Sequence, residues 1–494
     1  MDMRIDCRKE CKKLIKKYRA NNEYANQKLI NEELRVICDK YAYSDVVFEL
    51  SNILTAEEAA DIFGLFRFKD SIKHEIKTIG VFYNRAYNGG IEVANAQLMS
   101  MWHELGYNIV FFSEEDKNEM DYPYPDEVKR IYLGRKCKNR YKKLQQALIE
   151  NDVDVFINHA WAHWDLAYYC AIIKLMQIPL IVHVHGNFSA MYIGKTDVLL
   201  NWYPYAFRSY KIFQKCDLVL TLDSVSDKYF KLMGCKTYQV INPLPDRYKD
   251  NQFKGPIVNN HKILWIGRID EGKRPEDALE VLNLVKKQVP DATLEMVGAY
   301  GKKYEKNIKK LAEELDIVDS VYFRGYQLDV DKYYRDSDIV LVTSEKEGFP
   351  YVLIETLANG KPCVMYDLPY LTFVKNNKGI LSVPIADVNA MAEKVILLFQ
   401  NHDYKESVIN NGRQFFLKYK ATDIKNIWLD IFENMLKSEK TCVNNRDEDS
   451  IILKLLVNET QEGIDYYRQH NYGYGIQKIL YRVFCLTRNI IRQD

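Results

Sequence analysis

The spacing of apolar residues along this chain changes character at Lys77. Before it, Leu14, Ile15, Tyr18, Leu29, Leu34 and Ile37 recur at helical spacing among Lys, Arg and Glu. Residues 1–72 are therefore expected to be a helical extension, with a turn at Asn21-Asn22. After it come short apolar runs. The first, Thr78-Ile79-Gly80-Val81-Phe82-Tyr83, leads into Asn88-Gly89-Gly90, an amphipathic helix expected at 91–105, Gly106 to close it, and a second strand at 108–112. A strand, a glycine-rich loop, a helix and a strand in that order predict parallel α/β structure. Further strands are expected at 153–157, 180–184, 218–221 and 238–241. Asn242-Pro243-Leu244-Pro245 interrupts the series, and the polar stretch to Asn260 reads as a hinge. A second series follows at 263–266, 292–297, 321–323, 339–342, 362–365 and 379–381.

The pattern thus predicts an α/β chain of two doubly wound, Rossmann-like domains, 73–250 and 251–420, facing across a cleft. Ligands of such sheets lie at the carboxyl ends of the strands, so the cleft is the expected active site. Residues 421–438 read as a helix packing back toward the N-terminal domain. Residues 439–494 read as a linker and a basic amphipathic tail, in which Ile476, Leu480, Val483, Phe484, Ile490 and Ile491 accompany Lys478, Arg482, Arg488 and Arg492. Such a helix, over 475–492, can lie on an anionic membrane as a peripheral contact or pack against the N-terminal helices, and packing is the simpler reading.

Composition narrows the class. At 494 residues the chain is too long for one ordinary core. It has 47% hydrophobic and 28% charged residues, as a globular protein does. Sixty-nine basic and 68 acidic residues leave a net charge of +1, so no overall field calls for nucleic acid. Ten cysteines include no CxxC pair, which suits a reducing compartment. The charged N-terminus has no apolar core of a signal peptide, so a cytoplasmic location is expected. The apolar stretch 164–184 contains Asp165, Lys174, Gln177 and Pro179, and reads as a helix followed by a buried strand rather than a membrane span.

Four motifs carry chemistry. In Ser344-Glu345-Lys346-Glu347-Gly348-Phe349-Pro350-Tyr351-Val352-Leu353-Ile354-Glu355, two carboxylates, Glu347 and Glu355, are separated by seven residues across a strand-to-helix loop. Unpaired N–H groups at Gly348 and Phe349 would suit a phosphate or a sugar hydroxyl, whereas Pro350 has no N–H to give. Gly267-Arg268-Ile269-Asp270-Glu271-Gly272-Lys273 follows the first strand of the second series and sets two cations, Arg268 and Lys273, beside a flexible glycine. Gly89 and Gly90 follow the first strand of the chain. His183-Val184-His185-Gly186 closes another strand.

Glu347 to Glu355, continued by Thr356-Leu357-Ala358-Asn359-Gly360-Lys361-Pro362-Cys363-Val364, resembles the donor motif of the retaining GT-B glycosyltransferases of family 4. The resemblance covers about 77–437. It implies a nucleoside diphosphate sugar donor, a glycan or lipid-linked acceptor, and retention of configuration. It implies that Glu347 meets the sugar hydroxyls, that Glu355 accepts from the ribose hydroxyls, and that Arg268 and Lys273 clamp the diphosphate. It further implies that Gly89, Gly90 and Gly267 bring backbone N–H groups close, that His185 lies near the donor sugar, and that backbone near Tyr326 meets the base, with Val297-Gly298 below the nucleotide. No cofactor and no metal are expected, because His159, His163, His183 and His185 show no ligand spacing with a carboxylate. A sugar phosphorylase, a sugar-nucleotide epimerase or a non-catalytic subunit could use the same fold. A dehydrogenase is poorly supported, because neither half shows GxGxxG with an acidic residue after the next strand.

Overall fold

The structure is a computed structural model. It describes residues 3–20 and, with gaps at 88, 135–139, 161–165, 177, 187–212, 215, 249–258, 300–301, 328, 369, 372–373 and 375–376, residues 75–437. Positions 33, 36, 37, 40, 46 and 53 are also described. The expected turn at Asn21-Asn22, His163, the linker and the tail helix lie outside the described residues.

The N-terminal part begins with α1 (Met3–Ala20). Then follow β1 (Thr78–Phe82), α2 (Gly90–Glu104), β2 (Asn108–Ser113), β3 (Lys129–Tyr132), α3 (Arg140–Glu150), β4 (Val155–Asn158), α4 (Leu166–Leu175), β5 (Leu180–Val184), β6 (Leu218–Thr221), α5 (Ser224–Leu232) and β7 (Thr237–Gln239). The seven strands form one sheet in the order β3-β2-β1-β4-β5-β6-β7, and every neighbouring pair is parallel. All five residues of β1 are buried, as a central parallel strand covered on both faces requires. Gly106 ends α2 at φ +89°, a backbone angle that disfavours other residues.

The second part contains β8 (Lys262–Ile266), α6 (Pro275–Lys286), β9 (Thr293–Val297), α7 (Lys302–Glu314), β10 (Val321–Gly325), α8 (Asp331–Asp336), β11 (Ile339–Val342), α9 (Tyr351–Ala358), β12 (Cys363–Tyr366), β13 (Ile380–Val383), α10 (Val388–Gln400), α11 (His402–Lys420) and α12 (Ile424–Lys437). Its six strands are ordered β10-β9-β8-β11-β12-β13, again all parallel.

Two elements differ from the sequence reading. β3 was not expected: Lys-Arg-Ile-Tyr shows no apolar run because it is a partly exposed edge strand. The helix expected over 421–438 starts later, because Lys420 ends α11 and Asp423 caps α12 by accepting from the Asn426 N–H at 3.0 Å. α12 then crosses to the N-terminal sheet, where Trp428 meets Trp102 of α2 edge-on at 4.8 Å and Phe432 meets Tyr107 at 5.3 Å. One hydrophobic cluster consequently runs from Ile79 and Trp102 through Leu353 and Cys363 to Trp428 and Met435.

Candidate active site

Each sheet reverses its strand order at one place, between β1 and β4 and between β8 and β11. Loops diverge there and leave a crevice beyond the carboxyl ends. The two crevices face each other and enclose a cavity of about 700 Å³. Its wall includes Gly89, Gly90, His185, Gly267, Arg268, Lys273, Tyr326, Glu347, Gly348, Phe349 and Glu355.

The loop after β8 is anchored from below. The Trp265 indole N–H donates to the Thr343 hydroxyl at 2.8 Å, and that hydroxyl donates to the Lys273 carbonyl at 2.7 Å. The Glu345 N–H donates to the Gly272 carbonyl at 3.2 Å, tying this loop to the one after β11. At Gly298, with φ +154°, an added Cβ would lie 1.7 Å from the Gly267 carbonyl oxygen, so two backbones touch beneath the site. Lys273 forms an ion pair with Glu347. Arg268 stays largely exposed at the lip, 3.5 Å from Asp270.

The loop after β11 places the two glutamates. Glu347 is fixed through its backbone, whose N–H donates to the Tyr370 hydroxyl at 2.8 Å; burial, foremost, pushes that phenol up to about 12. Glu355 sits in α9 and is buried, because Leu353, Ile354, Leu357 and Ala358 anchor the helix in the core. Its Oε1 accepts from Arg247 at 2.5 Å and its Oε2 from the Tyr334 hydroxyl at 3.0 Å. Arg247 belongs to a short 3₁₀ turn, Asp246–Tyr248, and also lies 3.5 Å from Asp331. Burial works against its charge, but Glu355, with Tyr248 and Asp331, outweighs burial and holds the pKa above its usual value. Neither Arg247 nor Tyr334 was singled out from the sequence: Arg247 precedes its carboxylate by 108 residues, and only the fold joins them. The Phe349 ring stacks on Tyr419 at 6.0 Å and meets Tyr351 edge-on at 5.4 Å, and the residue lines the cavity.

On the opposite wall, α2 begins at Gly89, and the Glu92 carboxylate folds back over it: a Cβ on Gly89 would lie 2.4 Å from Glu92 Oε2. Glu92 is 3% exposed and accepts from the Arg85 side chain at 2.7 Å. Burial raises its pKa, and Arg85 partly offsets this. The helix start expected to face a ligand unaided therefore already carries a carboxylate of its own.

His159, at the end of β4, and His183 and His185, at the end of β5, lie together and buried. Their nearest ligand atoms all fall within 4.8 Å, a convergence hidden in the sequence because two different strands supply it. His159 Nδ1 and His185 Nε2 share a hydrogen bond of 2.7 Å. Burial lowers the pKa of His159 to about 3 and places those of His183 and His185 well below the usual value, so all three are neutral near pH 7.

Comparison with known proteins gives this geometry its family. Residues 247–415 match the model described as Glycosyl transferases group 1, and residues 88–240 match Glycosyltransferase Family 4. A protein of Haemophilus influenzae described as an uncharacterized glycosyltransferase is 31% identical over 308 residues, 59% of this chain and 81% of its own. The chain belongs to glycosyltransferase family 4. This glycosyltransferase is 26% identical over 359 residues, 69% of its length, to 94% of a Campylobacter jejuni enzyme. That enzyme is named GalNAc-α-(1→4)-GalNAc-α-(1→3)-diNAcBac-PP-undecaprenol α-1,4-N-acetyl-D-galactosaminyltransferase. Its fold matches the sucrose-phosphate synthase of Thermosynechococcus elongatus with a TM-score of 0.59, at 18% identity over 72% of this chain and 100% of that one. It matches HepE of Anabaena, solved with UDP and glucose, with a TM-score of 0.58, at 15% identity over 73% and 100%. Two Rossmann-like units facing across a cleft are the GT-B arrangement, and the glycosyltransferase has it. Among its described residues, no helix is long and apolar enough to cross a membrane.

Proposed function

We propose that this enzyme moves a hexosyl unit from a nucleoside diphosphate sugar to a hydroxyl of a glycan or lipid-linked glycan, with retention of configuration. The observation that carries this reading is the meeting of two carboxylates, Glu347 and Glu355, and two cations, Arg268 and Lys273, in one interdomain cavity at the switch points of both sheets. Glu355 is the acceptor for the ribose hydroxyls, and Glu347 for hydroxyls of the sugar. Tyr326 and its backbone meet the base. Arg268 and Lys273 neutralise the diphosphate, aided by N–H groups of Gly267, Gly348 and Phe349, with Gly89 and Gly90 closing from the other wall. His185 holds a sugar hydroxyl. The bond from the anomeric carbon to phosphate oxygen breaks as the acceptor oxygen bonds to that carbon, and the leaving phosphate oxygen takes the acceptor proton. Negative charge grows on the phosphate as the bond breaks, so Lys273 stabilises the transition state more than the bound donor. Lys273 exchanges Glu347 for the diphosphate as the donor enters.

The C. jejuni relative's undecaprenol-linked acceptor supports a lipid-linked glycan here, and the UDP bound to HepE makes uridine nucleotides the first donors to try. The test is incubation of the full chain with labelled nucleotide sugars and lipid-linked or glycan acceptors, with and without excess chelator, and NMR of the product. The expected product is a new glycoside with the donor's anomeric configuration, formed at the same rate in chelator. Release of a sugar 1-phosphate would indicate a phosphorylase, and an epimerised sugar an epimerase. Activity lost in chelator would overturn the metal-free mechanism.

A further inference from the structure

α1 lies outside both regions that match the family models, and its residues separate sharply by burial. Cys7, Cys11, Leu14 and Ile15, spaced four, three and one apart, are at most 2% exposed and join the core cluster that holds Phe156, Tyr169 and Val182. The apolar stripe is therefore spent on the acceptor-side half of the molecule. The opposite face is exposed and carries Arg8, Lys9, Lys12, Lys13, Lys16, Lys17 and Arg19. Some of these charges are answered: Lys9 lies 3.6 Å from Asp6, Lys17 lies 2.6 Å from Glu33, and Arg19 donates to the Ile53 carbonyl at 3.0 Å. Glu10, the other acid of the helix, is paired with Lys40 at 3.2 Å. Lys12, Lys13 and Lys16 have no ion-pair partner among the described residues. Three and four residues apart, Lys12 and Lys13 stand directly beside Lys16 on one helix face, where like charges repel unless something anionic covers them. A net charge of +1 does not impose this segregation; the chain concentrates cations here while balancing them elsewhere.

We propose that the exposed face of α1 docks the enzyme on an anionic phospholipid surface. From Arg8 to Arg19 the helix offers a cationic edge about 17 Å long, suited to a plane of headgroups. A nucleic acid would need a field that a molecule of net charge +1 does not provide. Because the apolar stripe is already buried, contact is electrostatic rather than insertive, and salt must weaken it. Each cation near such a surface contributes about fivefold in partition, which corresponds to roughly 1 kcal/mol. Docking through α1 places the N-terminal wall of the cleft, rather than the nucleotide wall, next to the membrane. This inference is independent of the donor-site reading, since neither helix nor lysines touch the cavity.

The test is sedimentation of the full chain with vesicles of phosphatidylglycerol or of phosphatidylcholine. Wild type should pellet with the anionic vesicles only, and should be released by 1 M salt. Lys12→Glu/Lys13→Glu/Lys16→Glu should lower partition by about 100-fold or more, and the triple Gln variant by less. Nucleotide binding measured by calorimetry should be unchanged in both, which shows that they fold. Unchanged pelleting of the triple Glu variant, binding of wild type to neutral vesicles, equal binding to soluble polyphosphate, or loss of pelleting only on removal of residues 475–494 would each overturn the proposal.

Discussion

Glu355 shows how a side chain can be committed and still available. Its carboxylate has about four lone-pair positions, and Arg247 and Tyr334 use one on each oxygen. Two remain, enough for a ribose diol. Arg247 and Tyr334 therefore fix the orientation of the acceptor without exhausting it. The expected result for Arg247→Ala is nucleotide binding weakened by about tenfold, the loss of roughly one charged hydrogen bond's worth of ordering. Calorimetry checks this, and tighter binding would show that Arg247 competes with the ribose instead. The carboxylate was legible in the sequence because two glutamates with seven residues between them, Glu347 and Glu355, fall on either side of a strand-to-helix loop. Arg247 was not, because nothing local marks a residue whose partner is 108 positions away. Glu92 carries no local sequence signal of its own, yet burial and its bond to Arg85 hold it in place on that wall.

At the scale of elements, the strands were legible wherever they are buried on both faces. β1, β5, β6 and β11 are buried along their whole length and mostly apolar, because a central parallel strand has no solvent-facing side. β3 escaped for the converse reason, while the helix expected over 421–438 was legible with its start three residues early, because Asp423 caps α12. The ends of β4 and β5 carry the histidine group. These histidines are neutral when folded, and burial depresses each pKa below the unfolded value of about 6.5. Below that pH the unfolded chain takes up protons that the folded chain refuses. Stability is thus complete above about pH 7 and falls as pH drops toward the folded values, by about 1 kcal/mol per histidine per pH unit. Thermal melts from pH 7.5 to 5 should show Tm falling, and His159→Gln should flatten the slope. An identical slope in the variant would mean that His159 is not held neutral by burial.

At the scale of the whole molecule, the two sheets are held close at the site itself. A Cβ on Gly348 would lie 1.8 Å from the His185 carbonyl oxygen, so the two backbones touch across the cleft. The Tyr351 hydroxyl donates to the Pro243 carbonyl at 3.1 Å, and Tyr419 donates to the Asn242 carbonyl. Gly348→Ala forces the halves apart without removing a donor-binding side chain. It is expected to lower kcat/KM by about 10²-fold, the scale set by misplacement of reacting groups by an ångström, while nucleotide affinity changes little. Activity within twofold of wild type would mean that closure at Gly348 is not needed for turnover. The pairing of two α/β units was readable from the order of strands and glycines, but the closeness of Gly348 to His185 is a property of the assembled cleft.

The claim on which the others depend is that the cavity holds a nucleoside diphosphate between Lys273 and Glu355. Titration of a panel of nucleoside diphosphates into the full-length enzyme, its Lys273→Ala variant and its Glu355→Ala variant tests it most directly. The account predicts that wild type binds one of them, that Lys273→Ala weakens it by about 100-fold, in line with the roughly 2.7–4 kcal/mol of a lost oxyanion donor, and that Glu355→Ala weakens both the diphosphate and its parent nucleoside. Binding of equal strength in all three proteins, or no binding of any nucleoside diphosphate to wild type, would contradict it.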